Sequence, residues 1–169
     1  MRYTCGHNKD TVDINFLPGT NKKILVALSG GADSAILLYI LAKLNRDLNL
    51  NHDLITFTIP RPDGGANYSP KIVEWISNRL QIELASPMII GDGNLPHKIV
   101  VKTAIENLLS SNLYDYLFLA ENKIPPVELC LLTPTRAPHN RYKKIIMPFW
   151  GVTKDCSLEL YFIEGISEL

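Results

Sequence analysis

The sequence predicts an α/β domain built on a doubly wound, mostly parallel sheet of five strands, and three observations carry that expectation. Apolar runs of strand length alternate with apolar segments of helical length along most of the chain, the pattern of successive βαβ units. The clearest run, residues 24–28 (Ile-Leu-Val-Ala-Leu), is continuous rather than alternating, as in strands covered on both faces. It opens directly into the turn Ser29-Gly30-Gly31 and then a helix, and ligands of parallel sheets lie where strands end in such turns.

Residues 1–22 are polar and turn-rich and end in Pro18-Gly19-Thr20-Asn21. They read as an N-terminal extension with at most a short strand, and residues 23–169 as the ligand-binding domain. After the first strand, residues 35–42 are apolar for longer than a strand usually runs and read as a buried helix. Residues 53–59 are a second strand, stopped by Pro60 and Pro62. Ser69-Pro70 looks like an N-cap with proline at the first helical position. Ile72, Trp75, Ile76 and Leu80 then share one helical face. Residues 83–90 are expected as a strand, 99–109 as a helix, and 114–120 and 145–149 as the last two strands. Leu158, Tyr161 and Phe162 mark a final helix. The irregular stretch 121–142 is long for a compact domain, where such loops are often functional.

The chain has 169 residues, 46% of them hydrophobic and 20% charged, with a formal net charge of +0. That suits one soluble domain with one core. It supplies no global field toward nucleic acid or an anionic membrane, so any basic patch must be local. Such a patch is Arg136, His139, Arg141, Lys143 and Lys144, which reads as a lid over an anionic ligand or as a solvated loop. Three cysteines, Cys5, Cys130 and Cys156, form no CxxC pair. An odd number gives no simple disulfide framework, so a reduced, cytoplasmic setting is expected. Cys5 and His7 with Cys156 match no common zinc spacing and read as structural. The N-terminus carries no apolar leader, and no apolar run approaches the roughly 20 residues of a membrane helix.

The chemistry concentrates at Ser29-Gly30-Gly31-Ala32-Asp33-Ser34. Gly30 and Gly31 let the backbone turn sharply and approach a ligand closely. The free N–H groups and dipole of the following helix make an anion site, and Ser29 and Ser34 add hydroxyl donors. Asp33 is the odd member, since a bare carboxylate repels phosphate. It makes sense as a metal ligand or as a helix cap. The plainer alternative is a Gly-Gly turn in which Asp33 or Ser34 merely caps the helix. The full string between a buried strand and a helix favours nucleotide phosphate. No G-x-x-x-x-G-K-[ST] occurs anywhere, and Gly91-Asp92-Gly93 lacks the third glycine of a dinucleotide fingerprint.

The stretch from Leu28 to Ala35 resembles the signature of the PP-loop ATP pyrophosphatase superfamily, whose fold is a HUP-type doubly wound sheet. Its members include GMP, NAD and asparagine synthetases, tRNA-thiolating enzymes and 7-cyano-7-deazaguanine synthase. Pro148, followed after four residues by Thr153-Lys154, is similar to an element of deazaguanine synthase and its relatives whose lysine reaches the phosphates. The resemblance implies ATP with Mg²⁺ as cofactors, and Ser29, Gly30, Gly31, Asp33 and Ser34 as nucleotide ligands. It makes Asp33 the metal ligand and Asp33 and Lys154 the catalytic pair, with Phe57 and Thr58 beside the adenine. A lysine at a helix start opposes the dipole, which favours a functional role for Lys154.

Two departures stand out. The chain ends without the zinc-binding cysteine cluster of the deazaguanine synthases, and Ala120-Glu121-Asn122-Lys123 replaces a Gly-His-x-x-Asp-type loop. The activity implied is an adenylating ligase or synthase that releases pyrophosphate, in deazaguanine or related nucleobase modification. The rivals are a sulfur-transfer enzyme of the phosphoadenylyl-sulfate reductase or tRNA thiolase type, and a nucleotide-binding module without catalysis. The expected partners are a small-molecule or nucleobase substrate and further copies of the chain. No membrane is expected, and nucleic acid stays open.

Overall fold

In the computed structural model the described residues are 2–5, 10–14, 19–121, 144–150 and 152–166. Strands β1 (Arg2–Cys5) and β2 (Asp10–Asp13) form an antiparallel hairpin. The main sheet is built from β3 (Lys23–Ala27), β4 (Asp53–Thr58), β5 (Met88–Ile89), β6 (Tyr116–Phe118) and β7 (Ile145–Ile146). Its order is β5-β4-β3-β6-β7 and every pairing is parallel. The chain therefore works outward from β3 to one edge, returns, and builds the other side from β6. The expected five-stranded doubly wound α/β fold is present. Three strands come out shorter than expected: the 114–120 run contracts to three residues, and the 83–90 and 145–149 runs pair over only two residues each.

The helices are α1 (Ala32–Asp47), α2 (Ser69–Leu80), α3 (His97–Ser110) and α4 (Lys154–Ile163). A short 3₁₀ turn, Gly65–Tyr68, leads into α2. Side chains of β3 alternate across the sheet. Ile24, Val26 and Leu28 join Leu54 and Phe118 under α1, α2 and α4, whereas Leu25 joins Phe57, Leu117 and Leu119 under α3. Helix α1 is apolar on most sides because it is covered on most sides: residues 34–42 are all buried. It lies between the sheet and its neighbours α2 and α4.

The N-terminal stretch is tied into this body. Cys5, Val12 and Ile14 are buried in the same core as α1 and α4. Cys5 is disulfide-bonded to Cys156, with Cα atoms 4.8 Å apart. This corrects the expectation of unpaired cysteines. Parity of the cysteine count was a poor guide, because pairing needs two thiols to meet and says nothing of a third. His7 and Cys130 lie outside the described residues, as do the 122–143 stretch and, with it, Arg136, His139, Arg141 and Lys143 of the basic cluster. Lys144, the last member, bonds Asn112 Oδ1 at 3.0 Å.

Lys43 bonds Glu164 at 2.9 Å, with both side chains largely covered. The phenol of Tyr3 lies near Glu164, and burial first, then that carboxylate, push its pKa up to about 12. These contacts, with the Cys5–Cys156 bond, fasten the start of the chain, α1 and the end of α4 together. No helix among the described residues is long and apolar enough to cross a membrane.

Candidate functional site

Strand β3 delivers its last residues to the carboxyl edge of the sheet, and the turn from Ser29 to Gly31 begins there. Gly30 has φ +82°, and a Cβ at that position would lie 1.7 Å from the carbonyl oxygen of Gly65. Only glycine meets both conditions. The turn is organised by Ser34, whose Oγ accepts the Ser29 N–H at 3.1 Å and donates to the Gly31 carbonyl at 2.9 Å. Ser29 Oγ lies 3.1 Å from Ser34 Oγ. Ser34 is 3% exposed, so its hydroxyl is largely spent on the shape of the turn. Gly31 is the N-cap of α1 and no side chain caps the helix. That removes the cap explanation for both Asp33 and Ser34.

Asp33 instead faces α4. Its Oδ2 accepts from Lys154 Nζ in a close ion pair. Its Oδ1 accepts from Ser157 Oγ at 2.6 Å. The hydroxyl of Ser157 also lies 2.9 Å from the Lys154 carbonyl. It has one proton, and the shorter contact to a charged acceptor claims it. Lys154 and Ser157 stand three residues apart in the first turn of α4, hence on one helix face. Asp33 sits in the first turn of α1. Negative charge is favoured near helix N-termini, and two of them converge here. Lys154, misplaced with respect to the dipole of its own helix, is matched by a carboxylate from the neighbouring one. The structure thus brings Ser29, Gly30, Gly31, Asp33, Ser34 and Lys154 together, although Lys154 is 121 residues from Asp33 in sequence.

Beside the turn lies a cleft of about 250 Å³. Ser29 and Ser34 line it at the sheet edge. Phe57, Ile59, Val101, Ile105 and Leu119 are among its apolar lining residues. Arg61, His97 and Glu121 are its charged or polar members. Phe57 is thus in the cleft. Thr58 faces the other side of the sheet, where its Oγ1 lies 3.3 Å from Ser69 Oγ, and Ser69 lies 0% exposed at the start of α2. The same Ser69 hydroxyl lies 3.0 Å from the Leu28 carbonyl.

Three residues of the site have no motif behind them. Ser157 was discoverable only as Lys154 plus three on a helix. Arg61 follows the carboxyl end of β4 between two prolines, a place the strand-end rule singles out. His97 opens α3, and its Nδ1 is buried without a partner among the described residues.

No family model matches the chain, and no curated protein matches it. Among solved structures it is similar to the U34-tRNA thiolase NcsA from Methanococcus maripaludis, determined with its 4Fe–4S cluster, at 18% identity and a TM-score of 0.55. The match covers 95% of this chain and 60% of that one, so this chain spans well under two thirds of the thiolase chain's length. What the likeness establishes is the fold, a parallel α/β sheet shared with a tRNA thiolase.

Proposed function

We propose that the chain binds ATP and transfers its adenylyl group, releasing pyrophosphate. The observation that supports this best is the union of two distant segments at one strand end. The Ser29–Ser34 turn leads into the N-terminus of α1, and Asp33, Lys154 and Ser157 are joined beside it. A substrate oxygen would attack the α-phosphorus while the bond from that phosphorus to the bridging oxygen breaks. Pyrophosphate leaves, and a later nucleophile displaces AMP. The main-chain N–H groups of the turn would hold the departing phosphates, and Lys154 would meet the charge that grows on them. The apolar cleft beside Phe57 would take the adenosine half and hold it in register for attack.

Mg²⁺ fits this site. It usually takes one or two carboxylates and completes its shell with phosphate oxygens and water, and Asp33 is the carboxylate at the turn. When bound, the ion would neutralise the phosphates. Asp33 would hold the ion, and Lys154, its present partner, would be left to donate to the phosphates.

A sulfur-transfer activity is the second reading. The shared fold with a tRNA thiolase supports it, and tRNA-thiolating enzymes belong to the superfamily the sequence resembles. An iron–sulfur cluster needs several cysteine thiolates. Cys5 and Cys156 bond each other at 3% and 0% exposure, and no cluster of three His, Cys, Asp or Glu suited to a metal occurs among the described residues. The described residues do not fit a cluster, and no step runs through one. Release of pyrophosphate rather than phosphate from Mg·ATP tests the main reading. Clean formation of ADP would refute it.

A further inference from the structure

We propose that Arg61 is a phosphate-contacting residue, donating to a polyphosphate held in the Ser29–Ser34 turn. The proposal rests on the nucleotide reading above and adds a residue and a ligand group to it. Arg61 lines the cleft together with Ser29 and Ser34. It belongs to the turn that follows β4, and that turn is locked onto the phosphate loop. A Cβ on Gly65 would lie 3.3 Å from the Ser29 carbonyl oxygen and 3.7 Å from Arg61 Nε. Arg61 Nε therefore lies no more than about 7 Å from the Ser29 carbonyl oxygen.

Its orientation is fixed by a fork. Arg61 Nε donates to Asp63 Oδ1 at 3.1 Å, and Nη2 to Oδ2 at 2.6 Å. Asp63 is itself held, since its Oδ1 accepts the Gly65 N–H at 3.0 Å. The Gly64 N–H closes the turn on the Arg61 carbonyl at 3.1 Å. Asp63 engages only one edge of the guanidinium. A guanidinium carries five N–H donors in a rigid plane, and Nη1 has no partner among the described residues. Arg61 can keep its fork to Asp63 and still donate to a phosphate oxygen. This is an arginine aimed by a carboxylate on a turn of restricted backbone, bordering a cleft that ends in an anion site. A surface ion pair between neighbours in sequence explains the fork, but not the place of Arg61 in the lining of the cleft.

The experiment is calorimetry of the full chain with three probes: Mg·ATP, inorganic pyrophosphate with Mg²⁺, and adenosine. Wild type is measured first. Failure to bind either phosphate probe would overturn the nucleotide reading itself. With wild-type binding in hand, Arg61→Ala is expected to weaken ATP and pyrophosphate by roughly 10-fold or more, the size of a lost bond to a charged group. Adenosine affinity stays within about twofold, as it should for a group that contacts no nucleoside atom. Arg61→Lys recovers part of the loss, because an ammonium supplies charge without the planar fork. Asp63→Asn, which keeps Arg61 but loosens its aim, weakens pyrophosphate by about threefold. Unchanged pyrophosphate affinity in Arg61→Ala refutes the proposal. So does a loss shared equally by adenosine, which would mean that Arg61 only shapes the cleft. All three variants should fold, since the Arg61 and Asp63 side chains are 39% and 56% exposed. A melting curve within about 2 °C of wild type, as for most exposed substitutions, checks this.

Discussion

Replacing Lys154 by methionine separates a structural lysine from a working one. Two effects compete in the forecast. The first is the ion pair with Asp33, in which the lysine side chain is 43% exposed and the carboxylate 19%. At that exposure solvent screens most of the attraction, and the pair contributes no more than about 1 kcal/mol to folding. Part of even that is offset, because Lys154 stands at the unfavourable end of its own helix dipole. The second effect is the charge that grows on the departing pyrophosphate. A preorganised donor lost from such a place costs roughly 2.7–4 kcal/mol, or about 10²–10³ in rate. The catalytic effect therefore exceeds the folding effect several-fold. Lys154→Met should lower pyrophosphate release from Mg·ATP by roughly 100-fold or more while shifting the melting temperature by no more than about 4 °C. Methionine is chosen because it keeps the length and apolar stem of lysine. Release and melting are measured on the same preparations. Turnover within about threefold of wild type would refute the reasoning. A large fall in melting temperature would show the pair to be structural.

Three further outcomes are expected. Ser157→Ala removes a buried hydroxyl that bonds Asp33 at 2.6 Å. The loss of a bond to a charged group should cost about 1.5–3 kcal/mol, read as at least a tenfold fall in turnover. A melting temperature that drops with turnover unchanged would assign the serine to packing alone. His52 is buried, and its Nδ1 accepts the Lys22 N–H at 3.1 Å. Burial first, and then Lys22, lower its pKa below the usual 6.5. The unfolded chain then binds more protons, so stability is full above about 6.5 and falls as pH drops toward the folded pKa. Melting temperatures from pH 8 to 5 should show that slope, and His52→Asn, which keeps an acceptor, should flatten it. The carboxyls of Asp63 and Asp115, held low by Arg61 and by the Lys23 N–H respectively, lose their contribution only below about pH 4 and do not blur this window. Cys156→Ala removes a cross-link spanning 151 residues of sequence. Loss of a native disulfide of that kind costs about 2–4 kcal/mol, or roughly 5–15 °C in a domain of this size. Equal melting of the variant and the wild type, with three reactive thiols in the unfolded wild type instead of one, would contradict the pairing.

The centre of the sheet could be read from the chain because its signals are local. Residues 24–28 are apolar without interruption, and 35–42 are too, since both are covered on all sides. The edges could not. Strand β5 pairs only at Met88 and Ile89, where Ile89 is 75% exposed, so burial imposes no pattern on the run that precedes it. The same division holds at the site. Ser29, Gly30 and Gly31 form one turn, and the left-handed backbone of Gly30 is a property of that turn. Lys154 was visible only through its placement at a helix start after a proline-ended strand. Ser157 owes its place to a contact across the fold, with Asp33, and Arg61 lines the same cleft as Ser29 and Ser34 only because two distant strand ends meet there. Thr58 shows the limit from the other side. It neighbours Phe57 in sequence, but strand alternation sends it to the opposite face, where Ser69 receives it.

The contact between Gly30 and Gly65 bears on whether the Ser29–Ser34 turn is portable. The carbonyl of Gly65 occupies the space that any side chain at position 30 would need. In return, a side chain at 65 would press on the carbonyl of Ser29 and on Asp63. The two turns are therefore one interlocked part made from two pieces of chain, although only the first has a recognisable sequence signature. Grafting Ser29–Ser34 onto another strand–helix unit would carry across its hydrogen bonds through Ser34 but leave the outer wall of the turn behind. A working transplant must bring residues 61–65 with it and must choose a host whose neighbouring strand ends at the same height. The smallest exchangeable unit is thus a pair of adjacent strand ends, and a change made in either turn is tested first against the other.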